Sequence, residues 1–183
     1  MGYIIIRPAI EYIKKTCKGP LVGAEIGVLK GQHARSILNG LTIRRLYLVD
    51  PYINYSSYPE KFEFDFIKQT ANKNLEPYKD NIVWINKKFD YGQIPEKLDF
   101  IYIDGNHVYE FVKIHIEIAD SLVKTGGIVS GHDYYHHGNF AGVGKAVDEF
   151  CNKNGFKLNT SDIDWWYIKQ QSVYTKWYEL NYF

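Results

Sequence analysis

Cysteine is scarce. Only Cys17 and Cys151 occur in 183 residues. They have no metal-binding spacing and no disulfide framework, so they read as free thiols and the chain as a cytoplasmic protein. Long apolar runs are missing too. Nothing approaches the roughly 18 residues of a membrane span. The run Tyr3–Ile6 stops at Arg7 and Pro8, short of the roughly 7–15-residue core of a secretory signal. Gly2 is followed at the sixth position by Ile6 rather than Ser or Thr, which fails the myristoylation pattern. Neither sign of charge dominates: 22 basic residues face 21 acidic ones. A general nucleic-acid binder draws its affinity from phosphate neutralisation, so no nucleic acid and no membrane is expected as a partner. No Gly/Ser/Pro linker and no internal repeat divides the chain, and one domain over 1–183 is expected.

What is present is an alternation of short apolar runs with helical periods. Ile10–Thr16 reads as a leading helix. Candidate strands are Leu21–Ile26, Leu46–Val49, Ile82–Ile85, Phe100–Ile103, Ile128–Ser130, Phe156–Leu158 and Trp165–Ile168. Helical spacing covers Lys30–Leu38, Glu60–Leu75, His107–Lys124 (stopped at Gly126-Gly127) and Val143–Cys151. Such alternation predicts an α/β fold: a doubly wound, Rossmann-like, mostly parallel seven-stranded sheet. The last two strands are joined by too short a turn for a crossover, so one antiparallel strand is expected near the C-terminal end. Trp165 and Trp166 should then face opposite sides of the sheet. Ligands of such a sheet bind at the carboxyl ends of its strands.

Four carboxylates converge on that edge: Glu25, Asp50, Asp104 and Asp133 each stand at or beside a strand end. The first turn reads Glu25-Ile26-Gly27-Val28-Leu29-Lys30-Gly31. Its G-x-x-x-G spacing is not the G-x-G-x-x-G that aims helix amides at a diphosphate. An adenosine ligand without phosphates suits it better, although two turn glycines also serve an ordinary strand–turn–helix. Asp50 can accept both hydroxyls of a ribose, which would equally serve a nicotinamide coenzyme.

Three ordered segments carry a resemblance: V-G-A-E-I-G-V-L-K-G at 22–31, L-Y-L-V-D-P-Y at 46–52, and D-F-I-Y-I-D-G-N-H-V-Y-E at 99–110, which runs on into K-T-G-G-I-V-S-G-H-D-Y at 124–134. Over residues 20–170 the chain resembles class I S-adenosylmethionine-dependent methyltransferases, above all small bacterial ones with D-G-x-H-x-Y and G-H-D-Y, relatives of the macrocin-type and catechol-type O-methyltransferases. The resemblance implies S-adenosylmethionine as cofactor. Glu25 and Gly27 would face its methionine part, and Gly31 would let the helix start approach. Asp50 would hold the ribose, Phe89 and Asp90 would sit near the adenine, and Asp104 would lie under the sulfonium and the acceptor. The run Asn86-Lys87-Lys88 departs from the small turn of relatives.

Methyl transfer to a hydroxyl needs a base or a metal. His107 and His132 are candidate bases beside Asp104. Asp104, His132 and Asp133 are candidate ligands of a divalent metal, Mg or Mn, with the imidazole suiting Mn better. His115 reads as a packed core histidine. His136 and His137 read as exposed loop groups, with a ligand role as the alternative; Tyr134, Tyr135 and Phe140 read as an acceptor wall or as a cover of the sheet edge. The aromatic tail with Val173, Trp177 and Leu180 at helical spacing reads as a helix on its own domain or a homo-oligomer contact. The function expected is methylation of a hydroxyl of a small molecule or sugar. The alternatives are an NAD(P)-dependent reductase, a metal-dependent hydrolase and a non-catalytic relative that only binds S-adenosylmethionine.

Overall fold

The computed structural model describes residues 7–55, 61–135 and 142–171. In chain order the elements are α1 (Pro8–Thr16), β1 (Leu21–Ile26), α2 (Gln32–Gly40), β2 (Ile43–Val49), α3 (Phe64–Leu75), β3 (Ile82–Ile85), β4 (Leu98–Ile103), α4 (Tyr109–Leu122), β5 (Val123–Gly131), α5 (Gly142–Asn154), β6 (Asn159–Ser161) and β7 (Asp164–Ile168), with a 3₁₀ turn at Glu76–Asn81 after α3. The strands form one seven-stranded sheet in the order β3-β2-β1-β4-β5-β7-β6. Pairing is parallel from β3 to β5 and antiparallel on both sides of β7. This is the doubly wound architecture that the alternation predicts.

Helices cover both faces, and strand alternation sorts the side chains between them. In β4, Ile101 and Ile103 pack with Val112 and Ile116 of α4 and Val147 of α5. Phe100 and Tyr102 point the other way, toward Ile13 of α1 and Ile37 of α2. Trp165 and Trp166 split between the same two cores, as their adjacency on a strand requires. All six residues of β1 are buried, so this central strand reads as an unbroken apolar run apart from Glu25.

Several boundaries differ from the sequence reading, among them the start of α3 at Phe64 rather than Glu60. Phe156–Leu158 is not a strand; β6 is Asn159–Ser161. Gly155 turns with φ +67°, and Phe156 stacks on Tyr167 at 4.9 Å, so its apolar signal comes from packing rather than from a ladder. Helix α4 ends at Leu122 without a glycine, and Gly126-Gly127 lies inside a long β5. Helix α4 also starts at Tyr109, which leaves His107 in the preceding turn. His136, His137, Phe140 and the 172–183 tail lie outside the described residues. No helix among the described residues is long and apolar enough to cross a membrane.

The order of strands reverses beside β1, and a crevice opens there at the carboxyl ends of β1, β2 and β4. The residue before helix α1, Arg7, lines it. The backbone N–H of Ala9 donates to the buried Asp164 carboxylate at 3.1 Å, and Tyr102 Oη donates to its other oxygen at 2.8 Å. That pair of bonds ties the start of α1 to β7 and β4 and carries Arg7 to the crevice.

Candidate functional site

The crevice holds about 500 Å³. Glu25, Gly27, Asp50, Phe89, Asp104, Asn106, His107 and Arg7 are among the residues that line it. Gly27 takes φ +87°, and a Cβ there would stand 2.1 Å from the Asp104 carbonyl oxygen. The turn after β1 therefore presses backbone to backbone on the end of β4, which only glycine allows. Gly31 has a different task. It is absent from the cleft lining, and a Cβ on it would meet Leu75 Cδ1 at 2.9 Å. It seats α2 against α3 rather than against a ligand.

Asp50 fastens the same turn. Its Oδ2 accepts the backbone N–H of Val28 at 2.9 Å and of Leu29 at 3.0 Å, and its Oδ1 accepts that of Tyr52 at 2.8 Å. A carboxylate offers about four acceptor sites, so little capacity is left for a ligand. Leu29 and Tyr52 take positive φ of 50° and 49°, a strained geometry held by those bonds.

Glu25 is fully buried, and burial raises its carboxyl even though His33 beside it pulls the other way. His33 Nδ1 lies 2.8 Å from Glu25 Oε1. Glu25 Oε2 and His33 Nε2 are buried without a hydrogen-bond partner. Asn106 Nδ2 and His115 Nδ1 are orphaned in the same way, and all four residues line the one crevice. Such groups are costly to leave unpaired. Their convergence marks the crevice as a place for a polar ligand. Neither His33 nor Asn106 was singled out in the sequence; His33 is brought to Glu25 by the first turn of α2.

His115 is the core histidine expected, but one that also borders the ligand space. Its ring meets Phe89 edge-on at 5.6 Å between centroids. Burial lowers its imidazole to about 4, so it is neutral at physiological pH. The unfolded chain protonates this group near pH ~6.5, before the folded chain does. Its contribution to stability is therefore whole above pH ~6.5 and falls as the pH drops toward 4, by up to roughly 3 kcal/mol. Replacing it with the similarly shaped phenylalanine, His115→Phe, should flatten stability across that window. Urea melts of both proteins at several pH values check this.

Phe89 is buried and lines the crevice, whereas Asp90 is exposed outside it. The Asp90 carboxylate accepts the N–H of Tyr91. Tyr134 and Tyr135 do not line the crevice either. Tyr134 Oη donates to Asp148, and Tyr135 meets Thr160. Tyr55, Phe62 and Phe64 supply the aromatic wall instead.

Asp104, His107 and Asp133 come together, with one ligand atom from each lying within 4.8 Å of the others. His107 Nε2 is 2.8 Å from Asp133 Oδ2 and 3.6 Å from Asp104 Oδ1. Burial works to lower the His107 imidazole, but the hydrogen bonds and charges of Asp104 and Asp133 win and raise it to about 9. Beside these two carboxylates His107 is an imidazolium at neutral pH, so it donates rather than acts as a base. His132 stands apart from the trio. Its Nδ1 is 3.0 Å from Asp133 Oδ1, and its Nε2 meets Arg7 Nη1. Arg7 can only donate. His132 Nε2 is then the acceptor and Nδ1 the donor to Asp133, which leaves no lone pair for a cation. The trio contains His107 and not His132, which the sequence reading had grouped with Asp104 and Asp133.

A family profile described as a methyltransferase domain matches residues 24–134, the stretch running from β1 through the crevice to the end of β5. The chain belongs to the methyltransferase domain family. Its sheet makes it a class I, S-adenosylmethionine-dependent type. Solved structures repeat the fold at low identity. The O-methyltransferase NovP is 18% identical, with a TM-score of 0.65, over 89% of this chain and 80% of that one. An O-methyltransferase from Bacillus cereus, in complex with SAH, is 15% identical, with a TM-score of 0.61, over 92% and 84%. An rRNA methylase from Streptococcus thermophilus is 14% identical, with a TM-score of 0.64, over 92% and 100%. No curated protein sequence matches significantly.

Proposed function

We propose that this methyltransferase acts on a hydroxyl oxygen of a small molecule, seated between the donor and the Asp104–His107–Asp133 trio. The observation that carries the reading is the set of orphaned polar atoms around one crevice. Glu25 Oε2 suits the ammonium of the methionine moiety. Gly27 leaves room beside it. Asp50 orders the turn and keeps capacity for one ribose hydroxyl. Phe89 and the neutral His115 offer an apolar face and a polar nitrogen to the adenine. When bound, the sulfonium supplies a methyl group that is already activated. The chain's own part is to align the acceptor, exclude water and lower the charge cost at the attacking oxygen.

Two carboxylates and one imidazole fit a divalent cation, Mn²⁺ better than Mg²⁺. Asp104, His107 and Asp133 would hold it, and its chemistry would be to lower the pKa of the acceptor hydroxyl. The balanced charge supports a small acceptor over RNA. Kinship adds nothing to that preference, since O-methyltransferases and rRNA methylases share the fold. One domain spanning 1–183 and a cytoplasmic setting remain parts of the same proposal.

The test is direct binding. Calorimetry should show S-adenosylhomocysteine binding, with NADH inert; tight NADH binding and no response to the adenosyl compound would sink the reading. The variant Glu25→Gln keeps the shape and the His33 contact but loses the charge available to an ammonium. A lost charged hydrogen bond is worth about 1.5–3 kcal/mol, so affinity should drop roughly tenfold to a hundredfold.

A further inference from the structure

We propose that the acceptor carries an anionic oxygen group, a carboxylate or a phosphate, and that Arg7 is the residue that binds it. The inference rests on the acceptor reading above and adds a specificity-determining residue that none of the methyltransferase segments contains. Arg7 precedes α1, and it reaches the crevice because Asp164 holds the Ala9 N–H. Its guanidinium is permanently charged and carries five N–H donors. Among the described residues it meets one side chain, His132, through Nη1. Its Nε is buried without a partner. No carboxylate among the described residues lies within ion-pair distance of it.

A half-buried cation in this state is expensive unless something neutralises it. The nearby acid does so only in part: Asp164 feels the charge of Arg7 but makes no ion pair with it, its oxygens accept from Tyr102 and Ala9, and burial pushes its carboxyl up. Asp133 faces the two histidines instead. Arg7 lines the crevice and meets His132, whose Nδ1 is 3.9 Å from Asp104 Oδ1, which places it beside the Asp104–His107–Asp133 trio, where an acceptor rather than the donor would lie. The orphaned Asn106 Nδ2 is a second donor in the lining of the same crevice. Two donors without acceptors, one of them a cation, call for an anion with at least two oxygens. A planar guanidinium grips such a group in bidentate fashion.

The test uses protein loaded with S-adenosylhomocysteine and titrates 4-hydroxybenzoate, its methyl ester and inorganic phosphate by calorimetry. The hydroxybenzoate or the phosphate should bind and the neutral ester should not; which of the two binds separates a carboxylate from a phosphate acceptor. Arg7→Gln should weaken that anion at least about tenfold, with S-adenosylhomocysteine affinity unchanged as proof of folding. Arg7→Lys keeps the charge without the fork and should fall between the two. If neither anion binds, or if Arg7→Gln binds it as wild type does while only its melting temperature falls, Arg7 is a structural counter-charge and the proposal is overturned. Failure of the adenosyl compound itself to bind would instead overturn the donor reading.

Discussion

Gly27→Ala should abolish binding of S-adenosylhomocysteine and lower the melting temperature together. The added Cβ faces the Asp104 carbonyl at 2.1 Å, with Asp104 C and Gly105 Cα behind it at 2.6 Å and 2.8 Å. These are backbone atoms of the loop that follows β4, and no rotamer change can clear them. The residue also sits at φ +87°, where a β-carbon costs roughly 1–2 kcal/mol by itself. Relief requires the ends of β1 and β4 to part. That movement breaks the bonds from Gly27 N–H to Val49 O at 2.9 Å and from Asp104 N–H to Ile26 O at 2.7 Å. A total of about 3 kcal/mol corresponds to roughly 6–12 °C for a chain of this size. The affinity loss should exceed about a hundredfold, because the floor of the crevice itself is displaced. Gly40→Ala is the control: it ends α2 with open space around the new carbon, and both readouts should stay near wild type. A Gly27→Ala protein that still binds the ligand would mean that the turn after β1 is not its cradle.

The sheet was legible because its signals are local. Strand β1 is buried on both sides and reads as an apolar run, and Gly27, Asp50 and Asp104 mark strand ends by their types alone. Element limits were less legible where packing imitates pairing, as at Phe156, or where a glycine serves a strand rather than a helix end, as at Gly126. The site divides in the same way. Residues set in the crevice lining by the strand they end, Glu25 and Asp104 among them, could be located from the sequence. Roles fixed by which neighbour turns toward them could not. His107 and His132 look equivalent on paper. Only the fold shows that Arg7, 125 positions earlier in the chain, occupies the nitrogen of His132 and leaves His107 with the carboxylates. Gly31 and Asp90 followed the family pattern in the sequence, but packing on Leu75 and exposure remove both from the crevice lining.

Asp133→Asn should separate methyl transfer from donor binding. Asp133 takes φ +63° at the end of β5, a conformation that asparagine tolerates well, so the exchange removes charge with little disturbance of the backbone. The carboxylate it removes now accepts from both His107 and His132. An amide presents one oxygen and one NH₂ group and cannot serve two donors on opposite oxygens. The imidazole of His107 then loses its fixed orientation, and a cation would lose one of two anionic ligands. Turnover with any accepted hydroxyl compound should fall by about a hundredfold or more, the usual scale for a displaced proton-handling or charge-stabilising group. Affinity for S-adenosylhomocysteine should hold within about threefold, since Asp133 is not in the crevice lining. Chelation completes the comparison. If the trio holds a cation, treatment with a chelator should reproduce the loss in the wild type, Mn²⁺ should restore it, and the variant should gain little from the metal. Full turnover by the chelated wild type would instead assign the trio to moving the proton directly. Unimpaired turnover by Asp133→Asn would remove this end of the crevice from the chemistry altogether.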